Sequence, residues 1–196
     1  LSVVIPACPQ ASEKSDLPAA GNLESKIGGF VQPFLHMRDF SGAIRISRAG
    51  KTIYEKGFGF ADFETRRSNT PRTRFRVGSL NKQLTAAAVL LLEEDGKLQT
   101  EDAVLKFFPD FPNGDLMTIR QLLTHRLGLP KYVPYKAAGS VSSAGLLKII
   151  AALKPEAKAG ERYSYSNAGF VLLALIVEKQ SGKSFPDFLA ENVLCL

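Results

Sequence analysis

The stretch FRVGSLNKQLTAAAVLLLEEDG, residues 75–96, changes character at Ser79. A polar segment ends there, and small or apolar residues then recur at spacings of three and four, namely at Leu80, Leu84, Ala87, Ala88, Leu91 and Leu92. This period is typical of one face of an α-helix, and Gly96 is a natural stop signal. The sequence therefore predicts a helix that begins at Ser79 and is anchored in a core by its apolar face.

The segments on either side of this helix predict a mixed fold. Upstream, residues 24–37 have the pattern of a weak amphipathic helix, and residues 42–62 alternate like a hairpin that turns at Ala49-Gly50. Residues 74–78 are expected to be a short strand or an extended segment. Further helices are expected at residues 118–125, 142–153 and 167–182 and from residue 184 onward. The predicted class is α+β, in which a partial antiparallel sheet (the N-terminal helix and hairpin) precedes a helical subdomain.

The composition is that of an ordinary globular protein, since 45% of the 196 residues are hydrophobic and 22% are charged. No apolar run in the sequence is long enough to span a membrane. The net charge is +6, and residues 65–76 contain a cluster of arginines. Such a stretch binds nucleic acid, attracts small carboxylate substrates or is a solvated loop. No nucleic-acid motif or metal-ligand pattern accompanies it, so neither a nucleic acid partner nor a cofactor is predicted.

The N-terminal residues 1–24 are expected to be the remnant of an export signal or a flexible linker. Within them, Ile5-Pro6-Ala7-Cys8 loosely resembles a bacterial lipoprotein cleavage box, although Pro6 fits it poorly. A lipid on Cys8 would anchor the protein to a membrane, and the alternative is a frayed terminus. Residues 25–196 are predicted to be one domain, with a sheet part at 25–78 and a mostly helical part at 79–196.

Ser79 and Lys82 stand three positions apart at the start of the predicted helix. Residues at this spacing share a helix face, so the lysine can reach the serine hydroxyl. A serine hydroxyl becomes a good nucleophile only when a neighbouring base takes its proton. The unpaired N–H groups at a helix N-terminus would also favour a developing oxyanion. The alternative is a helix-capping serine followed by an exposed lysine.

A second candidate group lies in ERYSYSNAGF, residues 161–170, where Tyr165 and Asn167 flank Ser166 just before another apolar helix. A phenol acts as a base when cations lower its pKa, and Lys82 would supply such a cation. The Asn167 amide can hydrogen-bond both a substrate amide and the lysine. The alternative is a helix cap at Asn167 and a core tyrosine at 165.

Taken in this order, these segments resemble the serine β-lactamase and penicillin-binding protein superfamily, and most closely its class C-like branch. The resemblance rests on FRVGSLNKQLTAAAVLLLEEDGKL, DAVLKFFPDFP, MTIRQLLTHRLGLP and GERYSYSNAGFVLLALIVEKQSGKSF. It covers about residues 25–196 and implies a β-lactamase/transpeptidase-like fold. It also implies that Ser79 is the acylated nucleophile, Lys82 the residue that activates it, Tyr165 the general base or proton relay, and Asn167 the amide that orients the substrate.

The sequence departs from the family pattern at several places. Asn81 and Leu127 stand where relatives often have a small hydroxyl residue, and His125 resembles a structural histidine of the family rather than a base. The family's third motif, Lys-Thr-Gly or His-x-Gly on a late strand, does not occur before Leu196. We therefore expect an incomplete domain that lacks the late sheet strands. It would come from a truncated gene, a partial sequence or one half of a split protein that is complemented by a C-terminal fragment.

The resemblance implies a serine hydrolase that attacks an amide or ester through an acyl-enzyme on Ser79. Candidate substrates are β-lactams, D-Ala-D-Ala peptides and small esters, and the implied location is the periplasm or the cell exterior. The alternative function is an inactive β-lactamase-like binding or structural module. Four intact candidate residues favour descent from an enzyme, whereas the missing third motif favours present inactivity.

Overall fold

The computed structural model of the chain describes residues 20–133 and 141–194. The predictions for Cys8 and for residues 1–19 lie outside the described residues. Backbone contacts divide the chain into two compact units with a boundary between Arg76 and Val77, and each unit is described by itself.

In its described part, residues 20–76, the first unit contains one helix and two small antiparallel sheets. Helix α1 spans Ala20–His36, strands β1 (Gly42–Arg48) and β2 (Lys51–Phe58) form one sheet, and β3 (Phe60–Asp62) and β4 (Arg67–Ser68) form the other. The hairpin turns where predicted, because Ala49 and Gly50 both adopt positive φ angles of 47° and 77°. Residues 74–77, by contrast, adopt no regular secondary structure, and Phe75 and Val77 are exposed.

The small second sheet was not predicted, and its anchor is a buried asparagine. The Asn69 side-chain amide donates to the Phe58 carbonyl at 2.8 Å and to the Ser41 hydroxyl at 2.9 Å. A Cβ atom at Gly57 would lie only 2.1 Å from the Asn69 carbonyl oxygen. The close approach of β2 to the segment that follows β4 therefore requires glycine at position 57.

The second unit is helical in its described part. Its α-helices are α2 (Asn81–Glu94), α3 (Val104–Phe107), α4 (Ile119–Leu123), α5 (Ser143–Ala151), α6 (Asn167–Ser181) and α7 (Phe185–Asn192). Helices α4, α5 and α7 begin where polar residues accept backbone N–H groups: Thr118, Ser142 and Ser184. These caps explain why the starts of the three helices could be read from the sequence.

Helix α6 is the central helix of this unit, since it contacts α2, α4, α5 and α7. It carries apolar residues around most of its circumference, as expected for a helix surrounded by neighbours. The core around it consists of side chains with no exposed surface, including Ala88, Val89, Leu92, Val104, Phe107, Ile119, Leu122, Ile150, Leu172, Leu173 and Ile176. No helix in residues 20–133 and 141–194 is both long and apolar enough to cross a bilayer.

The predicted start of the long helix at Ser79 is wrong by two residues. Gly78–Leu80 forms one 3₁₀ turn, and the α-helix begins at Asn81. The turn follows from Gly78, whose φ angle of +54° brings the chain into the helix in a conformation that L-residues disfavour. Ser79 therefore lies just before α2, and Lys82 lies in the first turn of α2.

Candidate active site

The Ser79 hydroxyl lies between a phenol and an ammonium group. Its oxygen is 2.6 Å from the Tyr165 phenol oxygen and accepts a hydrogen bond from Lys82 Nζ at 3.2 Å. The 3₁₀ turn presents Ser79 at the surface, while the apolar face of α2 fixes the helix in the core. The spacing of Ser79 and Lys82 thus brings the two groups together even though they do not share one continuous α-helix.

Lys82 joins the two halves of the site. Besides Ser79, its Nζ donates to Asn167 Oδ1 at 2.9 Å, and it lies 5.0 Å from the centre of the Tyr165 ring. Phe170, one turn further along α6, places its ring centre 5.4 Å from the same ammonium. Aromatic faces attract cations, so the two rings help to hold the lysine between the serine and the asparagine.

Tyr165 has an electrostatic setting that favours its phenolate. The Lys82 ammonium beside the phenol is the largest cause that lowers the pKa of Tyr165 below its ordinary value. The hydrogen bond with Ser79 and the positive charges of Lys82 and Lys131 act in the same direction and outweigh the opposing effect of burial. A phenol with a lowered pKa is a better proton acceptor at neutral pH than an ordinary tyrosine.

The capping alternatives do not describe these side chains. Neither the 3₁₀ turn at Gly78–Leu80 nor helix α2 has a side-chain cap, and the Ser79 hydroxyl instead contacts Tyr165 and Lys82. At α6 the N-cap position is Ser166, and the Asn167 side chain points to Lys82. The structure therefore brings all four candidate residues, Ser79, Lys82, Tyr165 and Asn167, into one hydrogen-bonded cluster.

His125 lies beside this cluster as part of its support. Its Nδ1 accepts a hydrogen bond from the Ser166 backbone N–H at 3.2 Å, and its ring centre is 4.5 Å from that of Tyr165 and 4.9 Å from that of Phe170. Among the described residues, no hydrogen bond joins His125 to Ser79 or Lys82. The geometry is that of a packed histidine and agrees with the structural role expected from the sequence.

Leu127 belongs to the core rather than to the site. Its side chain is almost completely buried, and a Cβ atom placed on Gly169 of α6 would touch it at 3.6 Å. The hydroxyl that relatives often carry here is replaced by apolar contact with the central helix. Asn81, the other departure from the family pattern, is exposed beside the groove described below.

Sequence reasoning missed two contributors, Ser166 and Phe170. Ser166 is 1% exposed, and its hydroxyl donates to the Pro130 carbonyl at 2.8 Å. Nothing in a single sequence indicates that this hydroxyl meets a loop 36 positions upstream. Phe170 could have been found, because it lies three positions after Asn167 and so shares its helix face.

An open groove of about 850 Å³ runs along the cluster. Ser79, Lys82 and Asn167 line it together with apolar side chains from α5, α6 and α7 and the segment before residue 134: Val133, Leu146, Phe170, Val171, Ala174, Leu175 and Phe185. A nucleophile beside an apolar groove suits a small organic acyl group. The described residues contain no group of three or more His, Cys, Asp or Glu side chains that could hold a metal ion.

The chain is similar in sequence to one known protein family and to proteins of two bacteria. A family model described as Beta-lactamase matches residues 28–195. The putative penicillin-binding protein PbpX of Bacillus subtilis is 35% identical over 163 residues, which are 83% of this chain and 41% of that protein. The teichoic acid D-alanine hydrolase of Staphylococcus aureus is 31% identical over 157 residues, which are 80% of this chain and 39% of that protein.

A solved class C β-lactamase has the same fold over the compared region. The superposition has a TM-score of 0.77 at 24% sequence identity and covers 92% of this chain and 50% of the β-lactamase. At this level of identity the likeness concerns the fold alone, and it confirms the predicted β-lactamase/transpeptidase-like class. The chain spans about two fifths of the length of the two curated relatives above.

Proposed function

Because the chain belongs to the β-lactamase family, we propose that it is a serine hydrolase that forms an acyl-enzyme on Ser79. The predicted resemblance to serine β-lactamases and penicillin-binding proteins is confirmed by the family match and by the relatives. The catalytic roles of individual residues belong to the proposal.

The observation that carries the proposal is the placement of the Ser79 hydroxyl, 2.6 Å from the Tyr165 phenol and 3.2 Å from Lys82 Nζ. A serine becomes nucleophilic when an adjacent group accepts its proton, and these distances are within the reach of proton transfer. Asn167 holds the lysine from the other side at 2.9 Å and faces the same groove.

The proposed reaction has two steps. In the first, the Ser79 oxygen bonds to the substrate carbonyl carbon, its proton passes to the Tyr165–Lys82 pair, and the C–N or C–O bond of the substrate breaks as the leaving group takes up that proton. In the second, the oxygen of a water molecule bonds to the acyl carbon while its proton passes to the same pair. The ester bond to Ser79 then breaks, the pair returns the proton to the Ser79 oxygen, and a carboxylic acid and free Ser79 are released. The Ser79 backbone N–H, in the 3₁₀ turn just before α2, would stabilise the oxyanion in both steps.

The proposed substrates are compounds with an amide or ester carbonyl, namely β-lactams, D-Ala-D-Ala peptides and small esters. One relative is named a hydrolase of teichoic acid D-alanine and another a penicillin-binding protein, and both names fit this group. The apolar side of the groove supports a compact acyl group but does not separate the three classes.

Parallel turnover assays test the proposal. The full-length gene product that carries these residues is incubated with a chromogenic ester, a β-lactam and a D-Ala-D-Ala peptide. We expect turnover of at least one substrate and its loss in Ser79→Ala.

The matched control is Ser47→Ala, since Ser47 is an exposed serine of β1 far along the chain from the cluster. Turnover that survives in Ser79→Ala contradicts the nucleophile assignment. Absence of any turnover in the wild type favours the alternative of an inactive binding module.

We further propose that the protein works outside the cytoplasm, with residues 79–196 supplying the four site residues and residues 1–24 acting as an export segment or linker. The name of the teichoic acid hydrolase supports this, because teichoic acid is a cell-envelope polymer. Anchoring through a lipid on Cys8 is tested by fractionating cells that express the wild type or Cys8→Ser. Release of the protein from membranes by the substitution is expected, and an unchanged distribution contradicts anchoring.

A further inference from the structure

Two segments flank the site and are joined by a ladder of hydrogen bonds. The His125 carbonyl accepts from Ser164 N at 2.8 Å, the Lys131 carbonyl from Asn167 N at 3.1 Å, and the Arg126 carbonyl from Gly160 N at 2.7 Å. We call residues 125–131 the support loop. It runs beside residues 160–167, the segment that carries both Tyr165 and Asn167.

The residue at the centre of this ladder is Ser166. Its backbone N–H donates to His125 Nδ1 at 3.2 Å, and its hydroxyl donates to the Pro130 carbonyl at 2.8 Å. Ser166 is 1% exposed, so both bonds are shielded from competing water. The support loop thus holds this residue through its main chain and through its side chain.

We propose that His125 and Ser166 are positioning residues, which hold the Tyr165 phenol against Ser79 and the Asn167 amide against Lys82. Tyr165 and Asn167 are the two chain neighbours of Ser166, so fixing its peptide fixes the direction in which both side chains leave the backbone. The His125 ring lies 4.5 Å from the Tyr165 ring, with 30° between the two planes, and supports the phenol from the side. This proposal rests on the proposed function only in so far as the held groups serve catalysis.

The hydrogen bond from Ser166 N–H requires His125 to be unprotonated at Nδ1. A doubly protonated imidazolium has no acceptor, so protonation would set two N–H donors against each other. The titratable groups around the ring are Lys82 on α2 and Tyr163 and Tyr165 on the opposing segment, whereas α6 contributes the uncharged Phe170. Burial first and then the Lys82 charge keep the pKa of His125 below its ordinary value.

The backbone of His125 determines which variants are informative. Its φ angle is +54°, a left-handed conformation that asparagine tolerates better than most residues. His125→Asn keeps a hydrogen-bond acceptor on a short side chain and removes the ring. Ser166→Ala removes only the hydroxyl bond to Pro130. Ser164→Ala is the matched control, because Ser164 contacts the support loop through its backbone N–H, which the substitution preserves.

The experiment measures how fast a fluorophosphonate labels Ser79 in the full-length gene product and its variants, separating the maximal rate from the affinity for the probe. Loss of positioning acts on the maximal rate, so we expect Ser166→Ala to lower it by roughly 10- to 100-fold with little change in affinity. His125→Asn should keep more of the rate than His125→Ala, since it restores an acceptor. Ser164→Ala should match the wild type.

A second readout does not depend on reactivity. The ultraviolet absorbance of the Tyr165 phenolate is titrated as the difference between each protein and its Tyr165→Phe counterpart. Ser166→Ala should raise the pKa of Tyr165 towards its ordinary value, because the phenol moves away from Lys82 and Ser79, and Ser164→Ala should leave it unchanged. If Ser166→Ala changes neither the labelling rate nor this titration, the positioning proposal is wrong. If the wild type is not labelled but the titration shifts as expected, the proposed function fails and the positioning role stands.

Discussion

At the scale of single residues, Lys82 connects the other three site residues. It donates to Ser79 and Asn167 and lowers the pKa of Tyr165. Replacing it by Gln should lower the Ser79 labelling rate by roughly 100- to 10,000-fold, the range of general acid–base catalysis. It should also raise the pKa of Tyr165. Lys131→Gln is the matched control, since the Lys131 charge has the smallest of the effects that lower the pKa of Tyr165. If the two substitutions changed the labelling rate and the pKa of Tyr165 equally, Lys82 would have no special role in the cluster.

Tyr165 allows the phenol oxygen to be tested apart from its ring. Tyr165→Phe keeps the ring beside His125 and removes the oxygen that lies 2.6 Å from Ser79. The labelling rate should fall by roughly 100-fold or more, because the proposed proton acceptor is lost. The melting temperature should stay close to that of the wild type, since the phenol is only half-buried. If Tyr165→Phe were labelled at the wild-type rate, Lys82 alone would be the proton acceptor.

The sequence predicted these four residues for two different reasons. The spacing of Ser79 and Lys82 places them on one face by helical geometry alone. Tyr165 and Asn167 lie 86 and 85 positions away from their partners, so spacing does not connect them to the first pair. The chemistry of a phenol and an amide near a lysine suggested the connection, and the family resemblance supported it. The contacts of Ser166 could not be predicted from the sequence, because they depend on burial against a loop whose path a single sequence does not specify.

At the scale of elements, the support loop depends on Gly128. Its φ angle is +75°, and a Cβ atom there would lie 2.2 Å from the Ala157 carbonyl oxygen. Gly96, with a φ angle of +70° and open space around it, provides a matched control. Gly96→Ala should lower the free energy of unfolding by about 1–2 kcal/mol, the ordinary penalty of a left-handed residue. Gly128→Ala should lower the free energy of unfolding clearly more than Gly96→Ala does. It should also slow the labelling of Ser79. Urea unfolding measures the stabilities, and equal losses would show that the contact with Ala157 is easily relieved.

Element types were predictable where periodicity and caps agree. Helices α4, α5 and α7 begin at Thr118, Ser142 and Ser184, which are visible in the sequence as polar residues before apolar runs. The 3₁₀ turn before α2 and the pairing of β3 with β4 were not predictable in this way. Each depends on one contact or one φ angle, namely the close approach at Gly57 and the positive φ of Gly78.

At the scale of the whole molecule, His125 should make stability depend on pH. Its folded-state pKa is below 6.5, so below that value the unfolded chain binds a proton more readily than the folded chain does. The contribution of neutral His125 to the stability of the fold is fully present above pH 6.5 and is lost as the pH falls through the folded-state pKa. The melting temperature of the wild type should therefore decline in this window more steeply than that of His125→Asn. Parallel declines in the two proteins would contradict this assignment.

The helical unit, residues 77–196, contains the candidate site. All four candidate residues and the support loop belong to it, and many of its core side chains around α6 show no exposed surface. The α+β class and the order of the elements were predictable from periodicity. The two small sheets and the packing around α6 depend on contacts between distant segments, which periodicity does not specify.

Mapping the fluorophosphonate adduct tests directly whether Ser79 is the nucleophile. The full-length gene product is labelled and digested, and tandem mass spectrometry identifies the modified residue. We expect one adduct, on Ser79, which is absent in Ser79→Ala and strongly reduced in Lys82→Gln and Tyr165→Phe. An adduct on another residue, or labelling that persists unchanged in Ser79→Ala, would contradict this assignment.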